Sequence, residues 1–192
     1  RFLNRSSASV DAVFSFNSPN FLAERQDSSN KKKPSDRIRS TANGFILWGP
    51  GTENKLWDDV SLAVWVDDPK AKVNLAWMRG VDSPQIVWRD VESGRSYKRA
   101  PLLDDSSPGA SIFVPFSVAP GETRTISLHF AWYAPKSNLF KTTKADMDDI
   151  DVVSCNVIKC TDFAGTYQPW YAGRFSSIEK LIDYWQGNYQ PL

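Results

Sequence analysis

The sequence predicts a mainly β fold, an antiparallel β-sandwich with one short internal helix and a C-terminal amphipathic helix. Three observations carry this. Apolar and polar residues alternate with a period of two in several short stretches, as they must where a strand turns one face to a core. Turn-forming groups such as Asn43-Gly44, Asp67-Asp68-Pro69 and Pro120-Gly121 separate these stretches. Only two segments carry the start and stop signals of a helix.

Residues 9–16 come first, with Val10, Ala12, Phe14 and Phe16 on one face and Asp11, Val13 and Ser15 on the other. The chain then turns polar from Pro19 to Arg39, through Gln26-Asp27-Ser28-Ser29-Asn30 and Lys31-Lys32-Lys33-Pro34. Such a composition cannot order itself by burial, so residues 24–39 read as a mobile loop, with the lysines as its solvated tip rather than a phosphate site. After Asn43-Gly44, Phe45-Ile46-Leu47-Trp48 form a short apolar strand stopped by Gly49-Pro50-Gly51. Val60, Leu62, Val64 and Val66 share one face, with Ser61, Ala63 and Trp65 opposite. A turn then leads to Val73, Leu75 and Trp77, which predicts a β-hairpin.

Between Asp82 and Gly94 an N-cap (Asp82 or Ser83), Pro84 at the first helical position and a closing glycine predict the internal helix. Ile112, Val114, Phe116 and Val118, then Ile126, Leu128, Phe130 and Trp132, predict a second hairpin. Pro115 lacks a ladder donor, which places its strand at a sheet edge or bulge. Residues 134–168 lose all pattern and read as a long irregular excursion containing both cysteines. Ser176-Ser177-Ile178-Glu179 reads as a capping box, followed by Ile178, Leu181, Ile182 and Trp185 at helical spacing. The domain map is therefore a sandwich over residues 1–175 and a linker helix over 176–192, whose apolar stripe needs something to pack against.

Composition narrows the function. With 192 residues and 41% hydrophobic content the chain can bury a core without disulfide or metal staples. Its 23 basic and 22 acidic side chains leave a formal charge of +1, too little to draw in a nucleic acid. No apolar run approaches the roughly 20 residues of a membrane-spanning helix. The chain opens with Arg1, without the pattern of a secretory signal, and reads as an excised segment. Cys155 and Cys160 are too few for a disulfide scaffold. They allow one short-loop bridge or half of a four-ligand zinc site, so no metal or cofactor is expected. The triplet Asn4-Arg5-Ser6 matches a glycosylation sequon, a pattern that chance supplies often.

Acidic pairs occur at Asp58-Asp59, Asp67-Asp68, Asp104-Asp105 and Asp148-Asp149 with Asp151. Glycoside hydrolysis needs two carboxyls facing each other across a sugar, about 5–9 Å apart, whereas neighbours on a strand point to opposite faces. These pairs suit turns. The single histidine, His129, lies opposite the apolar row of its strand and is expected to face solvent or a second layer. No Gly-x-Ser-x-Gly elbow accompanies it. Residues 49–55 lack the second glycine and the final Ser/Thr of a phosphate loop. The aromatics remain, because Trp and Tyr rings can stack on sugar faces. Trp77 and Trp132 share the parity of the apolar rows and are core candidates, whereas Trp57 and Trp65 do not and are the sugar-stacking candidates.

Several segments together resemble glycoside hydrolase family 116, the β-glucosidases and non-lysosomal glucosylceramidases. They are "VDAVFSFNSPN" (10–20), "GFIL" (44–47), "WMRG" (77–80), "PGASIFVPF" (108–116), "VAPGE" (118–122), "AWYAP" (131–135) and "YQPWYAGRF" (167–175), closing with "SIEKLIDYWQGNY" (177–189). The resemblance implies the latter part of a supersandwich-like N-terminal domain that supports an (α/α)6 catalytic domain of the same polypeptide. The family's nucleophile and acid/base carboxylates lie in that helical domain, so no catalytic residue carries over to this chain. Tyr167, Trp170, Tyr171 and Arg174 become candidates for the domain interface or for substrate contact. The alternatives are a free-standing carbohydrate-binding module built on Trp57 and Trp65, or a protein-interaction sandwich. A carbohydrate ligand is the further partner expected.

Overall fold

The computed structural model describes residues 1–24, 37–51, 55–78, 83–102, 107–137 and 167–189. These form two compact units, residues 1–49 with 61–132, and residues 50–60 with 133–192. The first unit is built of antiparallel sheets, as the alternation requires.

The row Val10, Ala12, Phe14, Phe16 becomes one face of β2 (Val10–Pro19). Its partner is β7 (Gly109–Val118), in an unbroken antiparallel register from Val10↔Val118 to Pro19↔Gly109. A third strand, β6 (Lys72–Asn74), flanks β7 on the other side. The second sheet has the order β3 (Ile38–Thr41), β4 (Gly44–Gly49), β5 (Val60–Val66), β9 (Leu128–Tyr133). The sheets meet through aromatic rings. Phe16 of β2 stacks on Phe45 of β4 at 6.3 Å and meets Phe130 of β9 edge-on at 5.4 Å. A small ribbon of β1 (Phe2–Leu3) and β8 (Thr123–Arg124) lays Phe2 against Phe14 and Phe116. Asn4 anchors that ribbon. Its side-chain amide donates to the carbonyls of Ala8 and Val118, each at 2.8 Å, so the sequon asparagine is buried and committed to structure.

Neither predicted hairpin forms. β5 belongs to one sheet and β6 to the other, as do β9 and β7, so each apparent hairpin turn is a corner where the chain changes sheets. At the first corner Asp68 accepts from the Lys70 backbone N–H at 2.9 Å and from Arg124 at 2.5 Å. Burial alone would raise its carboxyl pKa, but these two partners outweigh that and hold it below the ordinary value. The strand containing Pro115 is also central rather than at an edge. The proline is tolerated because β6 pairs only with residues 111–113, so at Pro115 the strand has a neighbour on one side alone.

Several burial expectations need correction. Both faces of β5 are covered, and Trp65, placed by parity outside the core, is 1% exposed. It fits because Gly44 lies against it: a Cβ on Gly44 would sit 2.6 Å from the Trp65 Cα and Cβ. Asn43 takes the left-handed conformation of that turn, φ 54°, leaving Gly44 to serve close approach. His129 is buried rather than facing solvent, with its ring on Trp65 at 5.3 Å and its Nε2 2.7 Å from Asp67. On the same strand Phe130 and Trp132 are the exposed residues, at 55% and 46%. Trp77 is core as expected, its indole N–H donating to Ser111 Oγ at 2.8 Å.

The expected mobile loop 24–39 overlaps real structure at both ends. α1 spans Phe21–Glu24, and Ile38 and Arg39 start β3, which the polar composition hid. Buried Arg37 accepts from the Trp48 backbone N–H at 2.8 Å, and Arg39 lies over the Trp48 ring at 5.8 Å. The lysine run lies outside the described residues. The internal helix appears as predicted, α2 (Ser83–Glu92), and ends at Gly94 with φ 59°. Among the described residues no helix is long and apolar enough to cross a membrane.

Candidate functional site

The residues singled out before the closing helix all fall in the second unit, around two helices, α3 (Trp170–Arg174) and α4 (Ile178–Asn188). Pro169 fixes the backbone ahead of α3 and removes a donor that the helix start leaves unused. At α4 the cap is Ser177, whose hydroxyl accepts from the Lys180 backbone N–H at 3.4 Å. The helix therefore begins one residue later than the capping-box reading of Ser176 requires, and Lys180 rather than Glu179 stands third. The expected stripe is real but not left unpacked: Ile178 and Ile182 are 1% and 3% exposed.

Tyrosines hold α3 in place. The Tyr171 hydroxyl accepts from the Ala134 backbone N–H and donates to the Ala134 carbonyl, both at 2.9 Å. Tyr133 packs edge-on against Tyr171 with ring centres 6.0 Å apart, and its hydroxyl donates to the Phe175 carbonyl at 2.7 Å. Burial, then the neighbouring Tyr171 and Asp59, push the Tyr133 phenol pKa up, so it stays a neutral donor. Tyr167 is tied by its backbone, exchanging two 2.7 Å hydrogen bonds with Ser137. These two short contacts close the ends of the excursion, whose middle, residues 138–166 with both cysteines, lies outside the described residues.

Between α3, the start of α4 and the Tyr133–Pro135 segment lies an open cleft of about 660 Å³. Arg174, Lys180 and Gln168 supply its polar groups, and Tyr133 and Phe175 its rings. The Arg174 guanidinium sits over the Tyr184 ring at 5.5 Å, and Phe175 packs on the other contact of that ring at 5.2 Å. Trp170 lines no part of this cleft and projects outward, 78% exposed. Thus Tyr171 is structural, Arg174 lines the cleft, and Trp170 and Tyr167 present surface. Lys180, Phe175 and Tyr184 were missed as neighbours; the i,i+4 spacing of Lys180 and Tyr184 could have grouped those two, whereas Phe175 joins them only through the break between the helices.

The sugar-stacking pair fares differently. Trp57 stands half-buried in a single 3-10 turn, Leu56–Asp58. Trp65 is enclosed in the core of the other unit and offers no ring face to a sugar. Of the described acidic pairs, Asp67-Asp68 makes long-range structural contacts, Asp67 with His129 and Asp68 with Arg124. Pairs beyond Asp68 lie outside the described residues. Among the described residues no three His, Cys, Asp or Glu side chains converge as a metal site needs.

None of the curated proteins matches the chain. One family model does, described as "beta-glucosidase 2, glycosyl-hydrolase family 116 N-term", and it covers residues 1–192. With the antiparallel sandwich and the ordered motifs in agreement with that match along its whole length, the chain belongs to the N-terminal domain family of glycosyl-hydrolase family 116.

Proposed function

We propose that this chain is the non-catalytic sandwich segment of a β-glycosidase of the β-glucosidase or glucosylceramidase kind. In this reading it supports an (α/α)6 catalytic domain lying outside these residues. The observation that carries it is the exposure of Trp170. A tryptophan 78% exposed, on a helix braced by half-buried tyrosine hydrogen bonds, is well suited to a partner surface. Arg174 and Lys180, which line the cleft on the same unit, are the polar groups that the rim of such a contact would use.

The test is Trp170→Ala in the full-length enzyme. Loss of a central interface tryptophan should remove about 2 kcal/mol of interdomain stabilisation, read as a lower melting temperature with KM nearly unchanged. Contact with substrate would instead raise KM at constant melting temperature. If neither quantity moves, Trp170 has no partner and the proposal fails. The binding-module alternative has lost one of its two rings to the core, and glycan-dependent quenching of tryptophan fluorescence would be needed to revive it.

A further inference from the structure

Beside α2 the first unit carries a cleft of about 210 Å³, walled by that helix, by residues 74–78 and by residues 95–99. Backbone pairing fixes two of the walls to each other: the Leu75 N–H donates to the Arg99 carbonyl at 3.0 Å, and the Arg99 N–H to the Val73 carbonyl at 3.1 Å. Polar side chains run through the cleft as a chain. Asn74, 2% exposed, donates to the Tyr97 hydroxyl at 3.2 Å, and that hydroxyl donates to Asp90 at 2.5 Å. Arg95 Nη1 reaches the other Asp90 oxygen at 3.4 Å. Arg99 lies over the Tyr97 ring at 5.3 Å and gives one N–H to the Ala76 carbonyl at 3.5 Å. Trp77, Met78 and Ile86 supply the apolar side.

Asp90 is poorly placed for stability alone. It is 6% exposed and stands in the last turn of α2, where the helix end already carries partial negative charge. Its ion-pair partner Arg95 keeps a side chain 70% exposed, so the pair leaves the cleft unfilled. Hydrogen-bonding capacity is left over as well. A carboxylate has about four acceptor positions and a guanidinium about five donors, whereas these contacts use two positions on Asp90 and one donor on each arginine. Acceptor and donors in one small cleft select a ligand that donates and accepts at neighbouring atoms. An anion would face the Asp90 carboxylate and a cation the two guanidiniums, but vicinal hydroxyls suit both. The volume selects a single ring, being below the roughly 300–1,000 Å³ of sites that hold drug-sized ligands.

We propose that this cleft binds one neutral pyranose unit of a glycan. Asp90 accepts from a pair of neighbouring hydroxyls, Arg95 and Arg99 donate to hydroxyl oxygens, and the C–H face of the ring packs on the apolar side. All of these residues belong to the first unit, so the site does not depend on the docking role of Trp170 in the second.

Hydrogen exchange on the full-length protein tests it, read by mass spectrometry on peptides covering 72–78 and 84–99, with glucose, galactose, mannose and xylose as probes. At about 100 mM, roughly a hundredfold above a Kd of about 1 mM, at least one of these sugars should slow exchange in both peptides. Arg99→Met, a change at an exposed side chain, should raise the apparent Kd about tenfold or more, and Asp90→Asn should do the same. Exchange unchanged by all four sugars overturns the proposal, as does protection that persists undiminished in both variants. Protection by glucuronate or inorganic phosphate in place of the neutral sugars also overturns it, because the cleft then takes anions.

Discussion

Replacing Gly44 by alanine should be among the most damaging single-methyl additions available to this domain. The new Cβ would lie 2.0 Å from the Val64 carbonyl oxygen and 2.6 Å from the Trp65 Cα and Cβ. Two of these three atoms are backbone, so no side-chain rotation relieves the clash, and β4 must move away from β5. Those are the two central strands of the four-stranded sheet, buried over most of their length. Overpacking of this kind costs about 1–3 kcal/mol, and one or two strained ladder bonds add about 1 kcal/mol each. Alanine returns roughly 0.5–1 kcal/mol by restricting the unfolded chain. The net loss is about 3 kcal/mol, or a melting temperature lower by roughly 6–12 °C for a chain of this size. Urea denaturation followed by tryptophan fluorescence measures it, with Gly187→Ala as control. Nothing lies within 4 Å of a Cβ on Gly187 in α4, so that change should be neutral or stabilising by about 0.5 kcal/mol. A loss below about 1 kcal/mol for Gly44→Ala would show that the strands have room, and would refute the close-approach argument.

The sheet corner and the polar cluster under α2 give further tests. Asp68→Asn should cost about 1–2 kcal/mol at pH 7 by weakening a charge-assisted bond to Arg124. Because the folded pKa of Asp68 is lowered, its contribution is complete above the unfolded value and fades as pH falls through the folded one, so variant and parent should converge under acid denaturation. Tyr97 donates to Asp90 at 2.5 Å and accepts from Asn74 at 3.2 Å, and burial followed by the Asp90 carboxylate pushes its pKa up to about 12. The stability it adds is present below pH 10 and lost between 10 and 12; phenolate absorbance should show its step missing in Tyr97→Phe. Ser177→Ala should loosen the first turn of α4 by about 0.5–1 kcal/mol, seen as faster exchange of the Lys180 amide.

Facing rows were legible in the sequence because strand periodicity is a local property. Val10 to Phe16 and Ile112 to Val118 do line one face each of paired strands. Which strands pair was not legible. A turn dipeptide marks a reversal but not whether the chain returns to the same sheet, and Asp67-Asp68-Pro69 turns a corner held by Arg124, a residue 56 positions away. Burial on two faces was also hidden, since alternation implies one wet side, and Trp65 and His129 lie on faces that polar neighbours had marked as outward. β3 escaped notice because Ile38 is the one apolar residue in Ile38–Thr41. Of the candidate site, the aromatic segment was legible by composition and motif. The division of labour between braced Tyr171 and outward Trp170 depends on Ala134, which no local pattern connects to them.

The pairing of residues 10–19 with residues 109–118 also sets a schedule. On the ribosome, β2 emerges long before β7, and at about 5–20 residues per second the wait is roughly 5–20 s. For that interval a ten-residue strand with one apolar face is without its β7 ladder partner. Folding dominated by such distant pairings is slow. Translation that stalls before Gly109 should therefore yield an aggregating intermediate rather than a smaller folded domain, which makes the speed of synthesis across residues 20–108 a determinant of yield.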